Sequence, residues 1–272
     1  MATEKEYVLG THDAEIERLG LQHRVWRPQA TRAWRRAGFA SGQTILDVGC
    51  GPGYATLDLA EIVGPTGRVV AVDRSRRFLD ALEAFARARG LTNIETHELD
   101  LDRDALPGVR ADGVWTRWVY SFVSEPEALL RRAAATLRPS GTMALLEYSD
   151  YRTWRVWPRQ DAFEAFVGEV MASWRDNGGE PDIGLELPRR LDAAGLDVVS
   201  LRTICERAQP GDFLWEWPKA FVAVGLQRLV DLGRVDAARA REMQHAFDET
   251  ERAPGGYLMT PTVFDIVARK RG

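Results

Sequence analysis

Short apolar runs alternate with longer stretches of helical spacing through the middle of the chain. Five runs between Thr44 and Tyr151 have the length of strands, and three stretches between them repeat apolar residues at helical intervals. Strands are predicted at 44–49, 68–73, 93–100, 111–118 and 142–149, and helices at 54–63, 76–89 and 126–137. This regular alternation, with GPTG and RPSG among the connecting turns, predicts an α/β fold with a doubly wound, mostly parallel sheet.

The pattern is helical before this region and looser after it. Helical stretches are predicted over the first 40 residues and, beyond Tyr151, at 152–180, 187–196 and 210–252. Two late strands, 197–209 and the closing TPTVFDIVARKRG, are separated by an insertion and would form an antiparallel pair that finishes the sheet. We therefore divide the chain into a helical N-terminal lead-in (1–40), a core (41–150), cap insertions around a late core strand (151–252) and a terminal core strand (253–272).

Composition narrows the class of protein without defining a function. The 272 residues are 45% hydrophobic and 28% charged, with a formal net charge of -4, and contain no dense run of Lys or Arg. Cys50 and Cys205 have neither metal-ligand spacing nor a disulfide framework. The N-terminus lacks the apolar segment of a signal peptide, and no apolar run reaches about 18 residues. We expect a cytoplasmic globular protein with no membrane span, no nucleic-acid partner and no metal; its oligomeric state stays open.

The first candidate for chemistry is the glycine cluster in DVGCGPG, where the first predicted strand turns into a helix. Gly49, Gly51 and Gly53 occupy alternate positions there. Glycine tolerates positive φ and lets a ligand approach the backbone closely, and a helix N-terminus adds unpaired N–H groups. In open α/β sheets, ligands bind at the carboxyl ends of the strands, where this turn lies. A tight strand–helix turn without a ligand is the alternative interpretation.

Acidic residues follow the next two predicted strands. Asp73 ends the second strand, and the third ends in ELDLD, which offers Asp100 or Asp102. A carboxylate after the second strand can accept both hydroxyl groups of a ribose, and one after the third can accept a hydrogen bond from an adenine amino group. Acids at strand ends are common. The glycine turn and these two acidic positions, however, follow three consecutive strands, and together they predict a cofactor that contains adenosine.

The spacing of the glycines bears on which cofactor this is. Dinucleotide sites usually show G-x-G-x-x-G, whereas this chain has G-x-G-x-G with Asp47 two residues ahead of the first glycine. A carboxylate at that position suits a cationic or zwitterionic ligand better than a pyrophosphate. S-adenosylmethionine carries a sulfonium and an amino-acid tail, so it fits this turn better than a nicotinamide dinucleotide does.

These motifs resemble those of a known family. ILDVGCGPGYATLDLA with VVAVDRS resembles motifs I and II of the Rossmann-like (class I) S-adenosylmethionine-dependent methyltransferases, and LRPSGTMALLEYS resembles their fifth strand. The resemblance covers about residues 40 to 150 and is greatest to small-molecule methyltransferases of the ubiquinone and menaquinone biosynthesis type. It implies a Rossmann-like sheet with an antiparallel terminal strand and S-adenosyl-L-methionine as cofactor.

The resemblance also implies a set of cofactor-binding residues. Gly49, Gly51 and Gly53 would pass under the amino-acid tail and ribose, with Asp47 organising the loop, while Asp73 would bind the ribose and Arg74 would flank the adenine. Asp100 and Leu101 would bind the adenine, with Asp102 as a rival for Asp100. Arg117 matches a position whose backbone meets the amino group of the tail, and Tyr7 and Gln22 would close the pocket.

Methyl transfer is an in-line displacement that depends mainly on alignment, so it needs a general base only when the acceptor must lose a proton. His245, on an amphipathic helix, is the candidate base, with an ordinary surface histidine as the alternative interpretation. Tyr148, Tyr151 and Trp154 follow the fifth strand closely and are candidates for contact with an aromatic or hydrophobic acceptor. Core packing is the alternative for these aromatic side chains.

Two functions therefore remain. The first is a methyltransferase that acts on a small aromatic or hydrophobic molecule, with the acceptor atom (O, N or C) open. The second is a methyltransferase-like protein that binds S-adenosylmethionine in a non-methylating or regulatory role. Cofactor consumption in the presence of acceptors would distinguish the two.

Overall fold

The computed structural model describes residues 13–272. Its strands are β1 (Thr44–Val48), β2 (Arg68–Asp73), β3 (Ile94–Glu98), β4 (Ala111–Arg117), β5 (Leu137–Asp150), β6 (Arg155–Trp157), β7 (Leu196–Ile204), β8 (Arg207–Ala208), β9 (Tyr257–Met259) and β10 (Thr262–Lys270). Its α-helices are α1 (Asp13–Ala37), α2 (Tyr54–Val63), α3 (Arg76–Ala88), α4 (Pro126–Thr136), α5 (Asp161–Asp176), α6 (Leu187–Ala193), α7 (Glu216–Asp231) and α8 (Ala237–Arg252).

Seven strands form the central sheet, in the order β3-β2-β1-β4-β5-β10-β7. The first five of these strands are parallel to one another, and β10 runs antiparallel to both β5 and β7. The sequence predicted this mostly parallel, Rossmann-like arrangement with an antiparallel terminal strand, and the prediction is confirmed. The reversal of order beside β1 leaves a crevice at the carboxyl ends of β1 and β4.

Burial on both faces explains why the central strands are continuous apolar runs. Ile45, Leu46 and Val48 of β1 are completely buried, because helices cover the sheet from both sides. On one face, α3 buries Phe78 and Leu82 on the helical stripe that its spacing predicts. Ser75 begins this helix by accepting a hydrogen bond of 3.2 Å from the Phe78 N–H.

The N-terminal helix packs on the same face of the sheet as α2 and α3, whereas α4 and α6 cover the other face. Ala30, Ala33 and Trp34 of α1 are buried, and the Trp34 ring lies edge-on to Trp115 of β4 with 5.2 Å between ring centroids. Arg36 pairs with Asp265 of β10 at the end of this contact. The predicted helical lead-in is thus a single helix over Asp13–Ala37, and the part of the prediction before residue 13 lies outside the described residues.

A second sheet, which the sequence did not predict, joins the cap to the start of the terminal segment. β6, β9 and β8 form a three-stranded antiparallel sheet, and β6 contacts α5 and α8. The prediction of one strand over 197–209 is wrong in its second half, because the chain turns away at Glu206. There the Glu206 N–H donates to Thr260 Oγ1 at 3.0 Å, and the Glu206 carbonyl accepts from the Thr260 N–H at 2.9 Å.

Two smaller differences from the predicted elements have local causes. The predicted turn RPSG lies within β5, where Ser140 has a positive φ of 64° and the pairing with β4 shifts register. The stretch predicted as helical from residue 152 contains β6 before α5 begins. Within residues 13–272, no helix is both long and apolar enough to cross a membrane.

Candidate functional site

A cavity lies at the carboxyl ends of β1, β2, β3 and β4, beneath α1 and the cap. Most of the residues predicted to bind a cofactor line it, although they come from separate elements. These residues are Gln22, Asp47, Gly49, Gly51, Asp73, Arg74, Asp100, Leu101 and Arg117, with Asp102 beside them. Tyr7 lies outside the described residues. The topology thus brings together residues that are far apart in sequence.

The glycine turn opens toward this cavity at Gly51. Gly51 has φ of 55°, and a Cβ placed on it would have no neighbour within 4 Å. A side chain at this position would fill space that a ligand could occupy. Gly53 differs, because a Cβ there would lie 2.2 Å from Leu82 Cδ1, and Gly53 is not among the lining residues. Its small size serves the packing of α3 against the turn.

Asp73 holds the glycine turn to the end of β2. Its Oδ2 accepts a hydrogen bond of 2.8 Å from the Gly51 N–H, and its Oδ1 accepts one of 2.9 Å from the Ser75 N–H. Burial raises the pKa of Asp73, while these two backbone bonds favour the ionised form. A carboxylate has about four lone-pair sites, so both oxygens can accept a further bond from a ligand hydroxyl.

Asp100 and Asp102 have different surroundings. The Asp102 carboxylate accepts hydrogen bonds from the Ser124 N–H at 2.7 Å and from Ser124 Oγ at 3.4 Å, which fixes the segment before α4. Asp100 Oδ1 accepts from the Asp102 N–H at 3.0 Å and from no other group of the described chain, and its Oδ2 lies 3.7 Å from Arg103 Nε. The structure therefore engages Asp102 in the fold and leaves more of Asp100 available to a ligand.

Two buried charges face each other across β1 and β4. Asp47 Oδ2 accepts a hydrogen bond of 2.7 Å from Thr56 Oγ1 of α2, and burial raises its pKa to about 7. Burial lowers the pKa of Arg117 to about 10, and the Asp47 charge opposes that change. Arg117 Nη2 lies 3.4 Å from His23 Nδ1, whereas Arg117 Nη1 is buried and has no hydrogen-bond partner within residues 13–272. Arg117 thus remains a cation with unused donor capacity.

His23 belongs to a network that joins α1 to α2. Its Nε2 lies 3.1 Å from Asp58 Oδ2, and Arg27 Nε donates to the same oxygen at 2.6 Å. Burial lowers the pKa of His23, so the ring is neutral at neutral pH. This network was not predicted from the sequence. The only signal was the spacing of His23 and Arg27, which places both on one face of α1.

Gln22 connects the N-terminal helix to the cap at the cavity. Its Oε1 accepts hydrogen bonds from Trp217 Nε1 at 3.1 Å and from Arg18 Nη1 at 3.2 Å. Arg18 also makes two hydrogen bonds of 2.7 Å with Glu15. The side chain predicted to close the pocket thus ties α1 to α7.

Aromatic side chains from the loop after β4, from β5 and from the cap also line the cavity. Trp118, which has a positive φ of 52°, stacks on Tyr148 with 5.3 Å between ring centroids and 12° between ring planes. Trp118, Phe122, Tyr148, Trp174 and Phe221 line the cavity and are called the aromatic wall below. A left-handed tryptophan is costly unless its surroundings hold it, which is typical of functional sites.

Of the three predicted acceptor-binding aromatics, the structure brings only Tyr148 to the cavity. Tyr151 and Trp154 are each 2% exposed and do not line it. Tyr151 packs edge-on against Trp174 at 4.9 Å, and Trp154 packs edge-on against Phe163 at 5.3 Å. These two residues support the aromatic wall from behind, so their contact with an acceptor stays a prediction without geometric support.

Glu147 organises the loop after β4 and was not identified from the sequence. Its Oε2 accepts hydrogen bonds from the N–H groups of Val119 at 2.9 Å and Tyr120 at 2.8 Å, and its Oε1 accepts from Ser121 Oγ at 2.7 Å. Glu147 is 1% exposed, and burial raises its pKa to about 7. The signal in the sequence was one acid inside the apolar run of β5.

His245 lies apart from the cavity. It is on α8, its side chain is 63% exposed, and its Nδ1 is 3.6 Å from Glu249 Oε1. It contributes to a separate surface depression with residues of the start of α5. The structure therefore does not bring the candidate base to the residues that line the cavity.

The fold and the cavity define a Rossmann-like α/β domain with a ligand site at its strand ends. Residues 45–141 match the family model described as a methyltransferase domain. The chain is 32% identical over 152 residues to the demethylmenaquinone methyltransferase of Lactococcus lactis, spanning 55% of this chain and 57% of that enzyme. It is 29% identical over 131 residues to a ubiquinone/menaquinone biosynthesis C-methyltransferase of Pseudomonas putida, spanning 48% of this chain and 50% of the other.

A solved structure supports the same fold over most of the chain. A candidate methyltransferase from Bacillus halodurans C-125 superposes with a TM-score of 0.60 at 19% identity, covering 89% of this chain and 99% of the other. The predicted resemblance is thus confirmed: residues 45–141 match a methyltransferase domain, and the chain resembles class I S-adenosylmethionine-dependent methyltransferases of the ubiquinone and menaquinone biosynthesis type. The chain spans 57% and 50% of the length of the Lactococcus lactis and Pseudomonas putida enzymes. It spans 63% of a third curated relative, a protein from Streptomyces fradiae.

Proposed function

We propose that this protein transfers the methyl group of S-adenosylmethionine to a small aromatic or hydrophobic molecule held against the aromatic wall. The observation that carries the proposal is the opening at Gly51, where the missing Cβ leaves free space directly beside the Asp73 carboxylate. The aromatic wall lines the same cavity. One cavity therefore offers an adenosine-binding edge and an apolar, stacking surface.

The proposed cofactor contacts follow the order of the strands. Asp100 at the end of β3 would accept from the adenine amino group, with the Leu101 N–H meeting a ring nitrogen and Arg74 flanking the ring. Asp73 at the end of β2 would accept the ribose hydroxyls, and Gly49 and Gly51 would lie under the tail. Asp100 is favoured over Asp102 because Ser124 already occupies the Asp102 carboxylate. A carboxylate with free lone pairs binds an amino group at lower cost.

The chain's own residues would contribute mainly alignment and exclusion of water. When bound, the cofactor supplies an electrophilic methyl carbon on a sulfonium, whose sulfur keeps the bonding electron pair as the acceptor bonds to carbon. The aromatic wall would orient a planar acceptor, and correct positioning can supply roughly 7–11 kcal/mol of rate enhancement. The described residues that line the cavity include no histidine, lysine or glutamate. Acceptors that are nucleophilic without a protein base are therefore the first to test.

The first experiment is calorimetric titration with S-adenosylmethionine in the wild type and in Asp73→Asn. Asp80→Asn, which changes an exposed carboxylate on α3, is the matched control. We expect low-micromolar to sub-millimolar binding by the wild type and the control, and at least tenfold weaker binding by Asp73→Asn. Absence of binding by the wild type would overturn the proposal.

The second experiment measures S-adenosylhomocysteine release with a panel of phenols, quinols, amines and aliphatic acids. Turnover with an aromatic or hydrophobic member supports the proposal. Tight cofactor binding with no release for any acceptor class supports the non-methylating alternative instead.

A further inference from the structure

We infer that the Arg117 side chain binds the carboxylate of the cofactor's methionine tail. The resemblance assigned a role only to the backbone at this position, so the guanidinium is a new candidate for recognition. The inference rests on the proposed function, because it requires S-adenosylmethionine in the cavity. Its basis is the position of Arg117 in the sheet and the unused hydrogen-bonding capacity of its side chain.

Strand order places Arg117 at the tail end of the site. Val48 pairs with Thr116 in the parallel register of β1 and β4, so Gly49 and Arg117 are the next residues along adjacent strands. Asp73 lies on the other side of the glycine turn, on β2. With the ribose at Asp73, a ligand that crosses the turn must extend its opposite end toward β4. That end of S-adenosylmethionine is the zwitterionic amino acid.

The hydrogen bonds around Arg117 leave room for an anion. His23 donates through Nε2 to Asp58 when the ring is neutral, which makes Nδ1 an acceptor for Arg117 Nη2. Arg117 Nη1 is buried and has no hydrogen-bond partner among the described residues. A buried donor without a partner is costly, and a ligand carboxylate would satisfy it in the two-pronged geometry that guanidinium groups favour.

The balance of charge around the site agrees with this assignment. Asp47 is the acid that faces Arg117 from β1, and it is already hydrogen-bonded to Thr56. Asp58 is engaged by both His23 and Arg27. Neither acid makes a hydrogen bond to Arg117 in the structure. Both acids near the Arg117 cation are therefore hydrogen-bonded to other groups, and a ligand carboxylate would provide the missing anionic partner.

The test compares two ligands that differ only in the tail. S-adenosylhomocysteine has the amino acid, whereas 5′-methylthioadenosine keeps the adenosine and the thioether without it. Equilibrium binding of both is measured in the wild type, Arg117→Met and Arg117→Lys. Arg27→Met is the matched control, because Arg27 belongs to the same network but does not line the cavity.

We expect Arg117→Met to weaken S-adenosylhomocysteine binding by roughly 10- to 100-fold, the range for a charge-assisted hydrogen bond. Binding of 5′-methylthioadenosine should change by less than about threefold, which also shows that the variant is folded. Arg117→Lys should fall between wild type and Arg117→Met, and Arg27→Met should leave the ratio of the two affinities unchanged.

Four results would overturn the inference. Equal weakening for both ligands would make Arg117 a structural residue, and unchanged S-adenosylhomocysteine affinity in Arg117→Met would remove it from the tail site. A wild type that binds neither ligand would reject the proposed function itself. A wild type that binds both ligands equally well would retain the cofactor and reject only the tail contact.

Discussion

The N–H of Val119 donates a hydrogen bond of 2.9 Å to Oε2 of Glu147, and this bond joins the loop after β4 to the neighbouring strand β5. The same oxygen accepts from the Tyr120 N–H at 2.8 Å. The two bonds follow directly after Trp118, whose φ of 52° turns the chain sharply. Glu147 therefore stabilises the turn that brings Trp118 and Val119 to the cavity.

Glu147→Gln should weaken cofactor binding as well as stability. The amide can accept at only one atom, so its NH₂ group would face backbone donors, and a buried donor without a partner costs about 1–3 kcal/mol. We expect a lower melting temperature together with a severalfold higher KM for S-adenosylmethionine, measured by thermal denaturation and initial rates.

The matched control for Glu147→Gln is Asp265→Asn, which changes another buried carboxylate, paired with Arg36 on the far part of the sheet. This variant should lose stability with little change in KM. If the two variants shift KM equally at equal loss of stability, Glu147 has no specific role in shaping the site.

Gly51→Ala should reduce cofactor affinity far more than stability. The residue has φ of 55° and open space around it, so alanine costs only the roughly 1–2 kcal/mol of a left-handed conformation. Its methyl group, however, would enter the cavity. Gly90→Ala is the matched control, since Gly90 has φ of 67°, equally open surroundings and no place in the cavity lining.

Chemical denaturation should show similar losses of stability for the two glycine variants. Calorimetry should show at least tenfold weaker S-adenosylmethionine binding for Gly51→Ala alone. Wild-type affinity in Gly51→Ala would mean that the ligand does not pass over the turn.

The sequence could predict the βα core because its signals are local. Periodicity, glycine turns and the acids after β2 and β3 each occur within a few residues, and the parallel topology follows from their order. The second sheet could not be predicted in this way. Its strands span only two or three residues each, too short for an alternating pattern to appear.

Several features of the site depend on tertiary packing and have no local signal. Tyr148 faces the cavity while Tyr151, three residues later, lies behind the wall, because the chain turns into a short 3₁₀ segment at Tyr151. His23 and Asp58 meet only because α1 folds back over α2. Patterns of residue type place such side chains on elements but do not say which of them will touch.

Asp100→Ala should remove discrimination at the adenine amino group, whereas Asp102→Ala should not. The probes are S-adenosylhomocysteine and its inosine analogue, in which a carbonyl replaces the amino group. The wild type should prefer the adenosine form by roughly 10-fold or more, the value of one hydrogen bond to a charged group. Asp100→Ala should bind both forms equally.

Asp102→Ala should keep the preference for adenosine and lose about 1–2 kcal/mol of stability, because Ser124 loses its carboxylate partner. Melting curves measured beside the binding isotherms separate the two roles. A reversed pattern would assign the adenine contact to Asp102.

Asp47 should make stability depend on pH in an unusual direction. Burial raises its pKa from 3.8 to about 7, so between these values the folded state holds a proton that the unfolded state has released. Stability then decreases as pH rises through this window, by on the order of 2–4 kcal/mol for this group, and changes little beyond it.

Asp47→Asn imitates the protonated form and can still accept from Thr56. The unfolding free energy of the wild type relative to Asp47→Asn, measured by urea denaturation from pH 4.5 to 8, should therefore fall steadily up to about pH 7. A difference that is constant or rises with pH would show that Arg117 keeps Asp47 ionised throughout, and the two residues would then have to be treated as a fixed ion pair.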